Sequence, residues 1–274
     1  MAQMSSSNPA FSRMNFGGPQ PAPPTNSPWP TGSPWPTGPG YPPPSPDVLD
    51  QHFRQPGRLT MDDVIVHTLG LFAVMGVGAV IGWVLSPDSP GIALGAGVLA
   101  LALSFVIPLR SRISPPLVVV FAVLEGLLVG GVSRFYEDAF SGIVLQALLG
   151  TALVFVGMLA AYRSGRLRAT PRMARIVMGS LLGVVLLGLV DLVIRAVSGS
   201  HLPVINDATP LGILFSVAVL VVASLQFILD FDYIERAIAA GAPTREAWRA
   251  AFGLLVGFVW VYLEMLRLLA KLRE

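Results

Sequence analysis

The sequence predicts an all-α polytopic membrane protein of seven transmembrane helices, and three observations predict it. More than half of the 274 residues are apolar and only 12% are charged, giving a mean hydropathy of +0.68 that water-soluble domains do not approach. From Asp63 onward, apolar runs of about twenty residues, the length a helix needs to cross roughly 30 Å of hydrocarbon, alternate with short polar breaks. The breaks carry Pro, Ser, Arg or Asp, the residues that stop helices or hold a chain in the interface.

Residues 1–58 form the first unit, a disordered proline-rich tail. They repeat SPWPTG from Ser27 and again from Ser33, contain Pro42, Pro43 and Pro44 in a row, and offer no apolar face to bury. Trp29 and Trp35 could anchor a polyproline-II ligand, but a plain tether is the simpler reading. No apolar h-region occurs in the first sixty residues, so no signal peptide is expected and the tail should stay in the cytoplasm.

Residues 59–274 form the second unit, with spans expected at 63–85, 91–109, 116–135, 142–162, 174–197, 211–231 and 252–270. Ser86-Pro87-Asp88 ends the first span, and Arg110 and Arg112 end the second. Pro115-Pro116 opens the third, and the polar stretch 198–207 follows the fifth. Between the sixth and seventh, 232–251 reads as a polar, amphipathic connector. Gly76, Gly78 and Gly82, Gly179 and Gly183, and Gly253 and Gly257 are small-residue spacings that permit close helix contact, a packing signal only.

Loop charge sets the expected orientation. Arg110 and Arg112, then Arg163, Arg166, Arg168, Arg172 and Arg175, then Arg236, Arg245 and Arg249 fall in alternate loops and are expected in the cytoplasm with the tail. The intervening loops hold Arg134 and Arg195 with Asp88, Glu137, Asp138 and Asp207. Arg267, Lys271 and Arg273 crowd the C-terminus on the wrong side of seven crossings. The last segment is therefore either buried among the others or crosses incompletely, and its side stays open.

Whole classes of function drop out. The 18 basic and 16 acidic residues nearly cancel, which argues against a nucleic-acid partner. With no Cys there is no disulfide, thiolate metal site or cysteine nucleophile. His52, His67 and His201 are far apart, no HExxH occurs, and no membrane-depth His partners a Ser, so no enzyme is expected.

A carboxylate at the bilayer centre costs about 2.5–3.5 kcal/mol on insertion scales, so ionisable residues inside spans mark candidate sites. Four places qualify: Glu125, Asp191, Asp230 with Asp232, and Glu264. Asp191 and Arg195 share a helix face as a structural ion pair. Glu264 lies three residues before Arg267, which could neutralise it locally. Asp230 and Asp232 could simply mark the end of their helix. Glu125 has no basic residue within a turn and is an additional intramembrane polar site.

In the C-terminal third the residues become recognisable. Phe227-Ile-Leu-Asp-Phe-Asp-Tyr-Ile-Glu235, Gly241-Ala-Pro243, Trp248 and Val261-Tyr-Leu-Glu-Met-Leu-Arg-Leu-Leu269, with Glu125-Gly126-Leu127 earlier, resemble the Bax inhibitor-1/YccA family. The likeness is to its bacterial branch with long N-terminal tails, and covers the seven spans without the tail. The resemblance implies a bacterial plasma-membrane protein whose C-terminal helix is packed centrally among the other six. It also implies a pH-sensitive calcium leak channel gated by a carboxylate pair. Glu264 is aligned with the family's Asp in the seventh helix, and Asp230 or Asp232 supplies its partner. These three carboxylates would sense protons and could ligate calcium in transit. This sequence departs from the family in having Glu for that Asp, and in lacking the Arg that some members carry inside the second helix.

Two carboxylates close together in a low dielectric cannot both ionise cheaply, and once ionised they present the hard oxygen ligands that calcium prefers. The competing reading is a non-conducting modulator of membrane-protein turnover that engages a membrane-bound protease. Calcium flux into liposomes discriminates the two.

Overall fold

The computed structural model describes residues 57–110 and 112–274. The expected tail therefore lies almost entirely outside the described residues. Seven helices are long and apolar enough to cross a membrane: α1 Met61–Leu85, α2 Pro90–Leu109, α3 Pro115–Ala139, α4 Ile143–Arg163, α5 Pro171–Ser198, α6 Pro210–Ala239 and α7 Glu246–Arg273. A one-turn helix, Pro203–Asn206, sits in the α5–α6 connection. Among the described residues no strand forms, only a single antiparallel bridge between Arg58 and Pro243. The chain is an all-α, multi-pass membrane protein.

The helix starts follow from sequence chemistry. Thr60 caps α1 in a box with Asp63, the side chain of each meeting the other's backbone N–H. Thr170 and Thr209 accept from Met173 N and Gly212 N, and each is followed by Pro at the first helical position, where no N–H is needed. Glu137 accepts from Gly142 N at 2.6 Å and Val144 N at 3.1 Å, placing its charge against the start of α4.

The polar, amphipathic stretch 232–251 is largely helical, because both flanking helices run on into it. α6 continues to Ala239, with Asp232 and Arg236 paired one turn apart, and α7 begins at Glu246, which pairs with Arg249 at 2.9 Å. Hydropathy locates where hydrocarbon stops, whereas i,i+3 and i,i+4 ion pairs let a helix run on past it. Only residues 240–245 turn, with Gly241 at φ +64°, a left-handed conformation suited to glycine.

Half of the most apolar stretch of α7 is buried, against 11% for α5, because α7 packs on α1, α3, α4 and α6 together while α5 leans on α6. The C-terminal helix is thus the centre of the bundle. Contacts fix the directions. Phe121 meets Phe252 and Ser133 meets Tyr262, so α3 runs parallel to α7. Phe155 meets Phe227 and Tyr162 meets Glu235, so α4 runs with α6. Lys271 reaches Ser216 while Tyr233 reaches Glu246, so α6 and α7 are antiparallel. Successive helices therefore cross alternately between two ends of the molecule.

The crowded C-terminus is accounted for by partners. Lys271 is buried and donates to the Gly212 carbonyl at 2.9 Å and Ser216 Oγ at 3.0 Å, and Arg273 donates to the Ser141 carbonyl and Gln146 Oε1. α7 is buried among the other helices and extends the full way to the α3–α4 turn.

Candidate functional site

Asp230 sits on α6, facing α7 where that helix has no side chains. A Cβ placed on Gly253 would lie 3.1 Å from Asp230 Oδ1, and one on Gly257 would lie 3.5 Å from Oδ2. The two glycines are one turn apart, so they leave a continuous notch in the central helix opposite the carboxylate. Asp230 Oδ1 accepts from Gln226 Nε2 at 3.1 Å. Asp230 Oδ2 and Gln226 Oε1 are buried and have no hydrogen-bond partner among the described residues. The carboxylate oxygen Oδ2 thus faces an interior notch without a donor, an arrangement that costs folding energy unless a proton or cation completes it. The ring of Phe227, fully buried and in contact with the position of Gly257, seals one side.

Glu264 occupies a different site. It is on α7, seven residues beyond Gly257, which at 1.5 Å per residue is roughly 10 Å further along the axis. Its Oε2 accepts from Arg267 Nη1 at 2.8 Å, while Oε1 is buried without a partner. Lys271 lies on the same face two turns on, bonded to Ser216 and Gly212 at the start of α6. Glu264 therefore belongs to a cationic cluster near the C-terminal end of α7, and Asp230 to the opposite half of the bundle.

Asp232 points elsewhere again. It pairs with Arg236 and lines a groove between α1 and α4. The expected pairing of Glu264 with Asp230 or Asp232 is thus not formed in this structure, nor do the three carboxylates converge on one calcium ion. Among the described residues, no group of three His, Cys, Asp or Glu side chains could hold a metal. The reason is register: α7 presents Gly253 and Gly257 to Asp230, so the residue opposite the carboxylate is a glycine rather than Glu264.

Glu125 is half-buried on α3, next to Gly126, and makes no hydrogen bond or ion pair among the described residues. Gly126 is pressed against α1, where a Cβ would lie 2.3 Å from the Met75 carbonyl oxygen. The structure brings no other site residue to Glu125. Asp191 is an interfacial staple, as its spacing indicated. It accepts from Arg195 Nε at 2.8 Å, and also from Leu202 N at 2.7 Å and Asn206 Nδ2 at 3.0 Å across the α5–α6 connection.

Gln226, Ser216 and Lys271 are site residues that sequence reasoning missed. Gln226 lies four residues before Asp230, a helical spacing that signals a shared face. Lys271 lies seven residues after Glu264, the same signal over two turns. Neutral Gln226 does not stand out in a count of charges, and Lys271, noted as a terminal cation, has partners in α6 that its own helix spacing does not reveal.

Comparison with known proteins adds two findings. The family model described as Bax inhibitor 1 like matches residues 8–274, so its match includes most of the proline-rich segment as well as the seven helices. No curated protein matches the chain.

Proposed function

Because the chain belongs to the Bax inhibitor 1-like family, we propose that it is a pH-sensitive cation leak channel, with calcium as its principal ion, in which Asp230 is the carboxylate that binds the ion and takes up the proton. The observation that carries this reading is the buried, donorless Asp230 Oδ2 facing the Gly253–Gly257 notch. Hard oxygens in a low-dielectric interior attract a proton or a hard cation. With a single carboxylate there, binding is weak enough for the ion to leave, which conduction requires. Asp232 and Glu264 act on either side of that point as ion-paired carboxylates, with Arg236 and Arg267 as their counter-ions. Glu125 is a further polar position on the neighbouring parallel helix.

The proposed setting is a bacterial plasma membrane with the N-terminus in the cytoplasm, and the proposed role is not catalytic. The pH response follows from competition between proton and calcium for one oxygen, so flux is expected to fall as the medium is acidified.

Calcium entry into liposomes holding the purified chain, measured from pH 5 to 8, tests the reading. Asp230→Asn should lower flux at the alkaline end roughly tenfold, equivalent to about 1.4 kcal/mol in the barrier to passage, and flatten the pH response. Glu264→Gln should keep the response, because its carboxylate is not in the notch. An Asp230→Asn profile identical to wild type would overturn the assignment. Absence of flux altogether would favour the non-conducting alternative, a modulator of membrane-protein turnover that engages a membrane-bound protease.

A further inference from the structure

We propose that the groove between α1 and α4 is a binding site for one anionic phospholipid of the surrounding bilayer. α1 and α4 both pack closely on α7 but not closely on each other, and the gap between them is a cleft of ≈ 1140 Å³. That volume exceeds the roughly 300–1,000 Å³ of ordinary small-molecule pockets and matches a long, mainly apolar occupant. Leu69 and Leu159 stand on its two walls, and Phe231 and Phe258 form part of its floor. Leu69 is 65% exposed, so the slot faces outward into hydrocarbon.

One end of the slot is charged. Arg163, at the last turn of α4, and Arg168, in the connection that follows, line it, are exposed, and make no ion pair among the described residues. The two carboxylates on that rim are already engaged, Asp232 by Arg236 and Glu235 by the Tyr162 hydroxyl. Among the lining residues Arg163 and Arg168 balance Asp232 and Glu235 in formal charge, and Arg236, outside the lining, pairs with Asp232, so that carboxylate is committed away from the two guanidinium groups. An apolar slot that ends in two uncommitted guanidinium groups at a helix terminus complements acyl chains joined to a phosphodiester. Arginine's planar fork matches phosphate oxygens, and basic pockets between transmembrane helices hold anionic headgroups. The inference does not depend on ion conduction.

The test uses the full chain, delipidated in detergent, exposed to an equal mixture of phosphatidylglycerol and phosphatidylcholine, and weighed by native mass spectrometry. Wild type should retain one phosphatidylglycerol in preference to phosphatidylcholine by roughly tenfold. The double substitution Arg163→Gln with Arg168→Gln should abolish that preference, and Leu69→Trp, which fills the slot from an exposed position, should lower occupancy by either lipid. Arg172→Gln with Arg175→Gln removes equal charge outside the groove and should leave retention unchanged. Equal retention of the two lipids by wild type, equal loss in both double variants, or full occupancy in Leu69→Trp would each overturn the proposal.

Discussion

Gly130 lies so close to α1 that a Cβ on it would sit 1.9 Å from the Ala79 carbonyl oxygen, and Gly82 meets the Leu127 backbone in the same way from the other side. Side-chain repacking cannot relieve such contacts, because the atoms met are main chain. Gly179 and Gly183, in contrast, have nothing within 4 Å of where a Cβ would stand. The four-residue spacing is alike in both helices, so the pattern alone does not say which glycines pack; the difference is that α1 and α3 run parallel against each other while α5 packs mainly on α6. Gly130→Ala is therefore expected to lower the stability of the detergent-solubilised chain by about 1–3 kcal/mol through overpacking. Gly183→Ala should leave it unchanged or raise it by up to about 1 kcal/mol, since glycine in a helix interior carries an entropic cost. Thermal melts of the two variants check both signs, and a Gly130→Ala melt matching wild type would mean that α1 and α3 do not approach as closely as described.

The α6–α7 hairpin holds most of the residues that make the C-terminal third recognisable, and each has a structural duty. Gly241 makes the left-handed turn, Pro243 lies opposite Arg58, and Trp248 packs edge-on against His67 of α1 at 4.7 Å between ring centres. The segment before α1 is tied to this hairpin by two main-chain bonds, Leu59 N to the Ala242 carbonyl at 2.7 Å and Thr244 N to the Gly57 carbonyl at 2.9 Å. Leu59 itself is buried in the core beside Phe231 and Ile234. Truncation should consequently show a sharp boundary. Removing residues 1–56 is expected to leave insertion and melting temperature unchanged, because the proline-rich segment has no apolar face. Removing residues 1–60 deletes the Thr60 cap, about 1 kcal/mol, two main-chain bonds of about 1 kcal/mol each, and the buried Leu59. The shorter chain should melt several degrees lower, and equal melting of the two would show that this anchor contributes nothing.

Across the whole molecule, the fold was legible from hydropathy because a bilayer imposes length, helicity and internal hydrogen bonding on every crossing. The central place of α7 was not legible that way: it followed from the family resemblance. The carboxylate site was legible only residue by residue. Asp230 and Glu264 stand out as charges in apolar runs, but their mutual register depends on how α6 and α7 slide past each other, and glycines carry no hydropathy signal to fix it. Orientation is a whole-molecule property of the same kind, and the structure sharpens the charge argument for it. At the end shared by the α3–α4 and α5–α6 connections, the cations within the helices are committed to protein partners: Arg134 to Asp138, Arg195 to Asp191, Arg267 to Glu264, Lys271 to Gly212 and Ser216, and Arg273 to Ser141 and Gln146. At the other end Arg163, Arg166, Arg168 and Arg172 are exposed and make no ion pair among the described residues. Short cytoplasmic loops carry an excess of Arg and Lys, so this end is expected in the cytoplasm. The chain has no Cys, so single cysteines can be placed at 88, 168 and 207 without background. In intact cells an impermeant thiol reagent should label positions 88 and 207 and reach position 168 only after lysis. Labelling at 168 before lysis, with 88 and 207 protected, would invert the molecule in the membrane and place the Asp230 half of the bundle on the outer side.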